Sequence, residues 1–280
     1  TKMLAANPDG VLLNGGGEIH ANGGNYGAGI GGGDYSSGKV TISDGEINAT
    51  GGYLGAGIGG GEKGSGDVTI TGGEINASGG SYGAGIGGGK GVYLASDKKI
   101  HGGDGKVTIT GGKITATSKS FGAGIGGGYQ GLGKVTIEGD AVIKNAQGGG
   151  AGAGIGSGTY GDSEIIIRGN AVIENAESSA NGAGIGSGQG TTSYGALVPS
   201  VGNVTIEGNA KIENAKSGYG GSGIGGGVLG IGNVTIRGNA QIGNAIGGDE
   251  GAGIGGGVCG TGDVTIEGNV TIENAQGGAG

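Results

Sequence analysis

The sequence predicts an all-β chain wound as a parallel β-helix, a solenoid with three short strands in each coil of 28–30 residues. Three observations predict it. The phrase Gly-Ala-Gly-Ile-Gly-Gly-Gly, first met at residues 27–33, occurs in eight copies, the later ones slightly altered. Two further segments, Val-Thr-Ile and Ile-Asn-Ala, recur between the copies. All three alternate apolar with polar or Gly residues over short runs bounded by Gly, which is a strand signal. No stretch holds a 3.6-residue apolar period long enough to make a helix.

The elements follow in chain order. Residues 11–26 read as a partial first coil, with Val11, Leu13 and Ile19 in core places. The phrase supplies the first strand of each coil, centred on Ile30, Ile58, Ile86, Ile125, Ile155, Ile185, Ile224 and Ile254, with Ala28 and Ile30 expected to point one way. The spacings of these isoleucines are 28, 28, 39, 30, 30, 39 and 30. The second strand is Val40-Thr41-Ile42 and its seven successors, one of them Ile165-Ile166-Ile167. The third is Glu46-Ile47-Asn48-Ala49 early and Ile173-Glu174-Asn175-Ala176 late. The growth from 28 to 30 lies in this third segment and its corner: Ile42 to Ile47 is five residues, Ile137 to Ile143 six. Eight to nine coils at strand spacing give a rod of roughly 40 Å, and the handedness rule for parallel crossovers favours a right-handed winding. The whole chain, 1–280, reads as a single β-helix domain, with a ninth copy broken off after Gln276-Gly-Gly-Ala-Gly280.

Stacking turns repeat positions into columns. One outward column is threonine, from Thr41 to Thr265, interrupted by Ile166. Its neighbour ends Glu138, Arg168, Glu207, Arg237, Glu267, so each Arg is expected between two Glu. Two asparagine columns, Asn145 to Asn274 and Asn170 to Asn269 (headed by Asp140), are expected to hydrogen-bond along the ladder. Two insertions, near 90–105 and 189–202, follow the Gly-rich strand and should project from one corner, three coils apart.

Composition narrows the class. Gly supplies 86 of 280 residues, but two Pro and no triplet period exclude collagen. A net charge of −8 argues against nucleic acid and anionic membranes as partners. No apolar run approaches the roughly 20 residues of a membrane span, and no signal-peptide pattern is present. Cys259 is the single cysteine, so the chain offers neither an internal disulfide nor a cysteine metal site. The two histidines, His20 and His101, lie far apart in the repeat; His101 with Asp97 and Asp104 is the one small constellation. No column of ligands matches a calcium β-roll, and no cofactor is implied.

The aromatic residues carry the best functional argument. Nearly all of the nine Tyr and the one Phe flank the Gly-rich strand. Stacking would gather Tyr26, Tyr53, Tyr82, Phe121, Tyr129 and Tyr160 at two edges of one face, where rings on a rigid edge can stack on sugars. The bland alternative is that each ring covers the open corner of its coil. Paired carboxylates for polysaccharide cleavage have no outstanding candidates: the irregular acids Asp34, Asp162, Asp249 and Glu250 form no evident pair. Ice binding would need a double threonine row, and only Thr69/Thr71 and Thr108/Thr110 supply one. The five Asn-x-Ser/Thr matches, such as Asn203-Val-Thr, are by-products of the repeat.

The phrases Gly-Ala-Gly-Ile-Gly-Gly-Gly, Val-Thr-Ile-Thr-Gly-Gly and Glu-Ile-Asn-Ala-(Thr/Ser)-Gly-Gly resemble Gly-rich repeats in surface or secreted proteins of anaerobic, often gut, bacteria. They also resemble pectate-lyase-like β-helix carbohydrate-binding repeats. The resemblance covers almost the whole chain and implies an extracellular or cell-surface β-helix, adhesive or glycan-binding. It carries over no catalytic residue. The expected function is thus a non-enzymatic adhesive or stalk module that touches polysaccharide or a cell-surface glycan. A polysaccharide lyase or hydrolase is the rival, and ice binding a more distant one. Open end coils also invite end-to-end self-association.

Overall fold

The computed structural model describes residues 10–94, 99–193 and 196–279. Among them the chain forms a parallel β-solenoid of about nine turns with no helix. Three parallel sheets run its length, and in each the strand order follows the chain. The first, of nine strands, runs from Val11–Leu13 to Val264–Gly268 and holds the Val-Thr-Ile segments. The second, also of nine, runs from Glu18–Asn22 to Thr271–Gln276. The third, of eight, is built from two-residue strands, Ile30–Gly31 to Ile254–Gly255.

Register keeps like on like. Val40 pairs with Val68, Thr41 with Thr69 and Ile42 with Ile70, and the columns continue through Val107-Thr108-Ile109. The Val and Ile of this sheet, the Ile and Ala of the second and the Ile of the third close on one core, and nearly all of them are fully buried. Burying one such isoleucine stabilises the fold by about 1.5–3 kcal/mol, so each coil contributes several anchors. Asparagines hydrogen-bond up the wall as the repeat predicts: Asn214 donates to Asn175 at 3.3 Å and Asn244 to Asn214 at 3.1 Å. The second column does the same from Asn170 on Asp140 at 3.1 Å to Asn269 on Asn239 at 3.5 Å.

The two extra residues of the later coils are visible. Ile114 pairs with Ile143 but Thr115 with Asn145, so Lys144 bulges out of the ladder. The other residue enlarges the preceding corner, where Ala141, Ala171, Ala210 and Ala240 turn inward as a fully buried column.

Three expectations need correction. The Gly-rich phrase is not a five-residue strand but a pinched loop: the Ala28 amide donates to the Gly32 carbonyl at 2.9 Å, and only Ile30 and Gly31 at its tip pair as strand. Accordingly Ile30 joins the main core while Ala28, though buried, does not. Gly31 makes the pinch with φ 128°, outside the range open to other residues. The charge column forms pairs rather than sandwiches. Arg168 Nε donates to Glu138 at 2.6 Å and Arg237 Nε to Glu207 at 2.7 Å, each Arg reaching the preceding coil.

Candidate functional site

Each pinched phrase is flanked by two tight turns that lie outside the core. In the first copy the Gly27 amide donates to Gly24 O across the entry turn, and Ser36 to Gly33 O across the exit turn. The exit turn of one copy sits beside the entry turn of the copy before it: Glu62 N donates to Tyr26 O, Tyr129 N to Tyr82 O and Thr159 N to Phe121 O, each at 2.7–2.8 Å. Phrase and turns together make a lobe, and eight lobes stack into a ridge along one side of the solenoid. We number them 1–8 from the copy at Ile30 to the copy at Ile254.

The ridge gathers five of the six predicted site residues. Tyr82 stacks on Phe121 with centroids 4.9 Å apart, and Tyr53 meets Tyr82 edge-on at 5.4 Å. Tyr129 meets Tyr82 at 5.3 Å, Phe121 at 5.8 Å and Tyr160 at 5.6 Å. These rings come from lobes 2–5, and contacts of this geometry each contribute about 0.5–1.5 kcal/mol beyond burial. Tyr26 stands outside the ladder, because lobe 2 carries Leu54 at the equivalent place. Burial, then the neighbouring Tyr160 and Tyr82, hold the Tyr129 phenol above the usual tyrosine range. Tyr53 is raised chiefly by its side-chain hydrogen bond to Tyr82. Lys90 Nζ lies 5.4 Å from the centre of the Tyr82 ring. In lobes 1 and 2 Lys63 donates to the Tyr35 hydroxyl at 2.6 Å.

The exit turns hold a feature the repeat did not foretell. Their third residue has positive φ in all six regular cases: Tyr35, Lys63, Gln130, Tyr160, Leu229 and Cys259, at 54–64°. Such a place normally goes to Gly or Asn, and a side chain there costs about 1–2 kcal/mol. A chain with 86 glycines spends none of them here. The signal was in the sequence, as the recurring Gly-x-x-Gly or Gly-x-x-Ser after each phrase with a non-Gly third residue.

Lobes 3 and 6 replace this turn with antiparallel hairpins, Val92–Leu94 with Lys99–His101 and Thr191–Ser193 with Ala196–Val198. Tyr93, Ile100, Leu197 and Val198 on them remain 46–52% exposed. Asp97 lies outside the described residues. Its supposed partner Asp104 accepts the Leu132 amide at 2.8 Å, and Asp162 likewise accepts the Val201 amide at 2.8 Å. Both carboxylates therefore tie neighbouring coils together. Among the described residues no three His, Cys, Asp or Glu side chains converge as a metal site. At the far end of the ridge a cleft of about 380 Å³ opens between Tyr219, Asp249, Glu250 and the apolar Val228 and Val258.

Three stacked parallel sheets and the recurring coil define a β-helix repeat protein. In keeping with that class, four stretches of the chain, residues 14–34, 40–62, 68–90 and 107–129, match the family described as Beta helix repeat. No curated protein and no solved structure matches the chain.

Proposed function

We propose that this chain is a non-enzymatic adhesive or stalk module of the cell surface or extracellular space, and that its ridge binds polysaccharide or a cell-surface glycan. The observation that carries the reading is the ladder of five touching aromatic rings on the outside of a rigid solenoid. Stable folding alone does not call for it, since lobes 6–8 stack without a ring-to-ring ladder. Sugar rings bind aromatic edges and faces through their apolar C–H surfaces while neighbouring amides and hydroxyls take the sugar hydroxyls. Strained side chains at the exit turns support the same reading, because backbone strain concentrates where a side chain is used.

A glycan array tests it. The wild-type chain is expected to retain a defined set of glycans, and a Tyr82→Ala/Phe121→Ala variant to lose them while keeping its β-rich circular dichroism. An unaltered binding pattern in that variant removes the aromatic ridge from the account. Release of reducing or unsaturated ends from any bound polysaccharide would instead move the protein to the enzyme class.

A further inference from the structure

The ladder is uneven, and the unevenness marks one place on it. Lobe 4 contributes Phe121, one face of which is covered by Tyr82. On its other side, lobe 5 presents no ring in its entry turn, only Gly149, Gly150 and Ala151. A Cβ built at Gly150 would meet no heavy atom within 4 Å, so the step above Phe121 is open. Tyr129 and Tyr160 stand beside it on the adjoining exit turns.

The two hairpins bound the same step. They leave the ridge at lobes 3 and 6, about 14 Å apart at the usual strand spacing, with only lobes 4 and 5 between them. Main-chain hydrogen bonds run from wall to wall: Gly91 N to Tyr129 O, Gln130 N to Thr159 O and Tyr160 N to Gln189 O, each at 2.8 Å. Position and chemistry agree. Next to the rings the window offers uncharged hydrogen-bonding groups: Gln130 and, in lobe 6, the amides of Asn181 and Gln189, which bond one another at 2.9 Å. Charged side chains of the ridge lie elsewhere, with Glu62, Lys63 and Lys90 in lobes 2–3 and Asp249 and Glu250 in lobe 8. The one nearby acid, Asp162, is engaged by the Val201 amide.

We infer that the ridge takes its ligand in this window on lobes 4 and 5, and that the occupant is a neutral, unbranched oligosaccharide crossing the solenoid axis between the hairpins. The inference rests on the glycan-binding reading. It adds where the sugar lies, how it runs and what charge it carries. One sugar ring sits over Gly150 against the free face of Phe121, and the chain continues past Tyr160.

Calorimetric titration with cellohexaose, mannohexaose and hexagalacturonate tests it. At least one neutral hexasaccharide should bind, with hexagalacturonate tenfold weaker or worse. Gly150→Tyr, which fills the open step, and Tyr160→Ala should each weaken binding tenfold or more. Tyr35→Ala and Tyr219→Ala, exposed rings of the same ridge outside the window, should leave it within twofold. Far-ultraviolet circular dichroism checks that each variant keeps the fold. Unchanged affinity in Gly150→Tyr places the sugar elsewhere and overturns the inference while the parent reading stands. Equal or tighter binding of hexagalacturonate overturns the neutral assignment. Failure of both neutral probes to bind the wild type also overturns the inference, and the glycan array then decides the parent reading independently.

Discussion

At Gly87 a methyl group would stand 2.0 Å from the carbonyl oxygen of Gly126 in the next coil, and φ there is 132°. Two independent obstacles, contact and backbone, therefore exclude any side chain. Gly33, by contrast, has no atom within 4 Å of a built Cβ and an ordinary φ. Chemical denaturation should separate them: Gly87→Ala is expected to destabilise by about 3 kcal/mol or more. Gly33→Ala should be neutral or stabilising by up to about 1 kcal/mol. At Gln130 the reverse applies. Its φ of 60° suits glycine better than glutamine, so Gln130→Gly should gain up to about 1 kcal/mol. If that substitution instead destabilises, the exit turns are not strained.

Among the elements, the core ladders carry the stability and the surface ladders carry little. Ile125, fully buried in the third sheet, should cost about 2–5 kcal/mol when cut to alanine. Arg168→Ala should cost no more than about 1 kcal/mol, because the pair with Glu138 is largely in water. Denaturant midpoints of the two variants give the ratio directly. The aromatic ladder makes a prediction about pH. The fold raises Tyr129 above its ordinary value by desolvation, so it favours the protonated phenol. The stability this gives is fully present below the ordinary tyrosine pKa near 10 and is lost as pH rises through the raised one. Ultraviolet titration should find a late-ionising tyrosine that Tyr129→Phe abolishes.

The whole molecule is a one-dimensional stack, in which a coil contacts mainly its neighbours. Its last strand, Val264–Gly268, is paired on one side only, and Val264 and Ile266 are 42% and 52% exposed where their counterparts are buried. An unpaired parallel edge with apolar side chains is a template for another strand. Sedimentation should therefore show concentration-dependent association of this 280-residue chain, reduced by Ile266→Lys. A single monomeric species across the concentration range would count against open-ended stacking.

How much of this was legible differs from part to part. Coil number, strand identity, inward columns and asparagine ladders follow from the repeat, because parallel stacking in register makes like residues neighbours. The bulge at Lys144 was readable as a change of period, though not the alanines that fill the corner it creates. The pinch of the Gly-rich phrase was not readable: alternating Gly reads as strand, and only the hydrogen bond from Ala28 to Gly32 shows the chain doubling back. The ring cluster was half legible. Offsets from the central isoleucine placed the aromatic residues on two edges, but which rings touch depends on the entry turn of one coil lying beside the exit turn of the next. Sequence alone therefore determined the architecture, since a repeat is a local pattern imposed again and again. Only the tertiary structure decided the site, because the ladder, the open step at Gly150 and the framing hairpins belong to different coils, and their meeting is set by the stagger of the lobes.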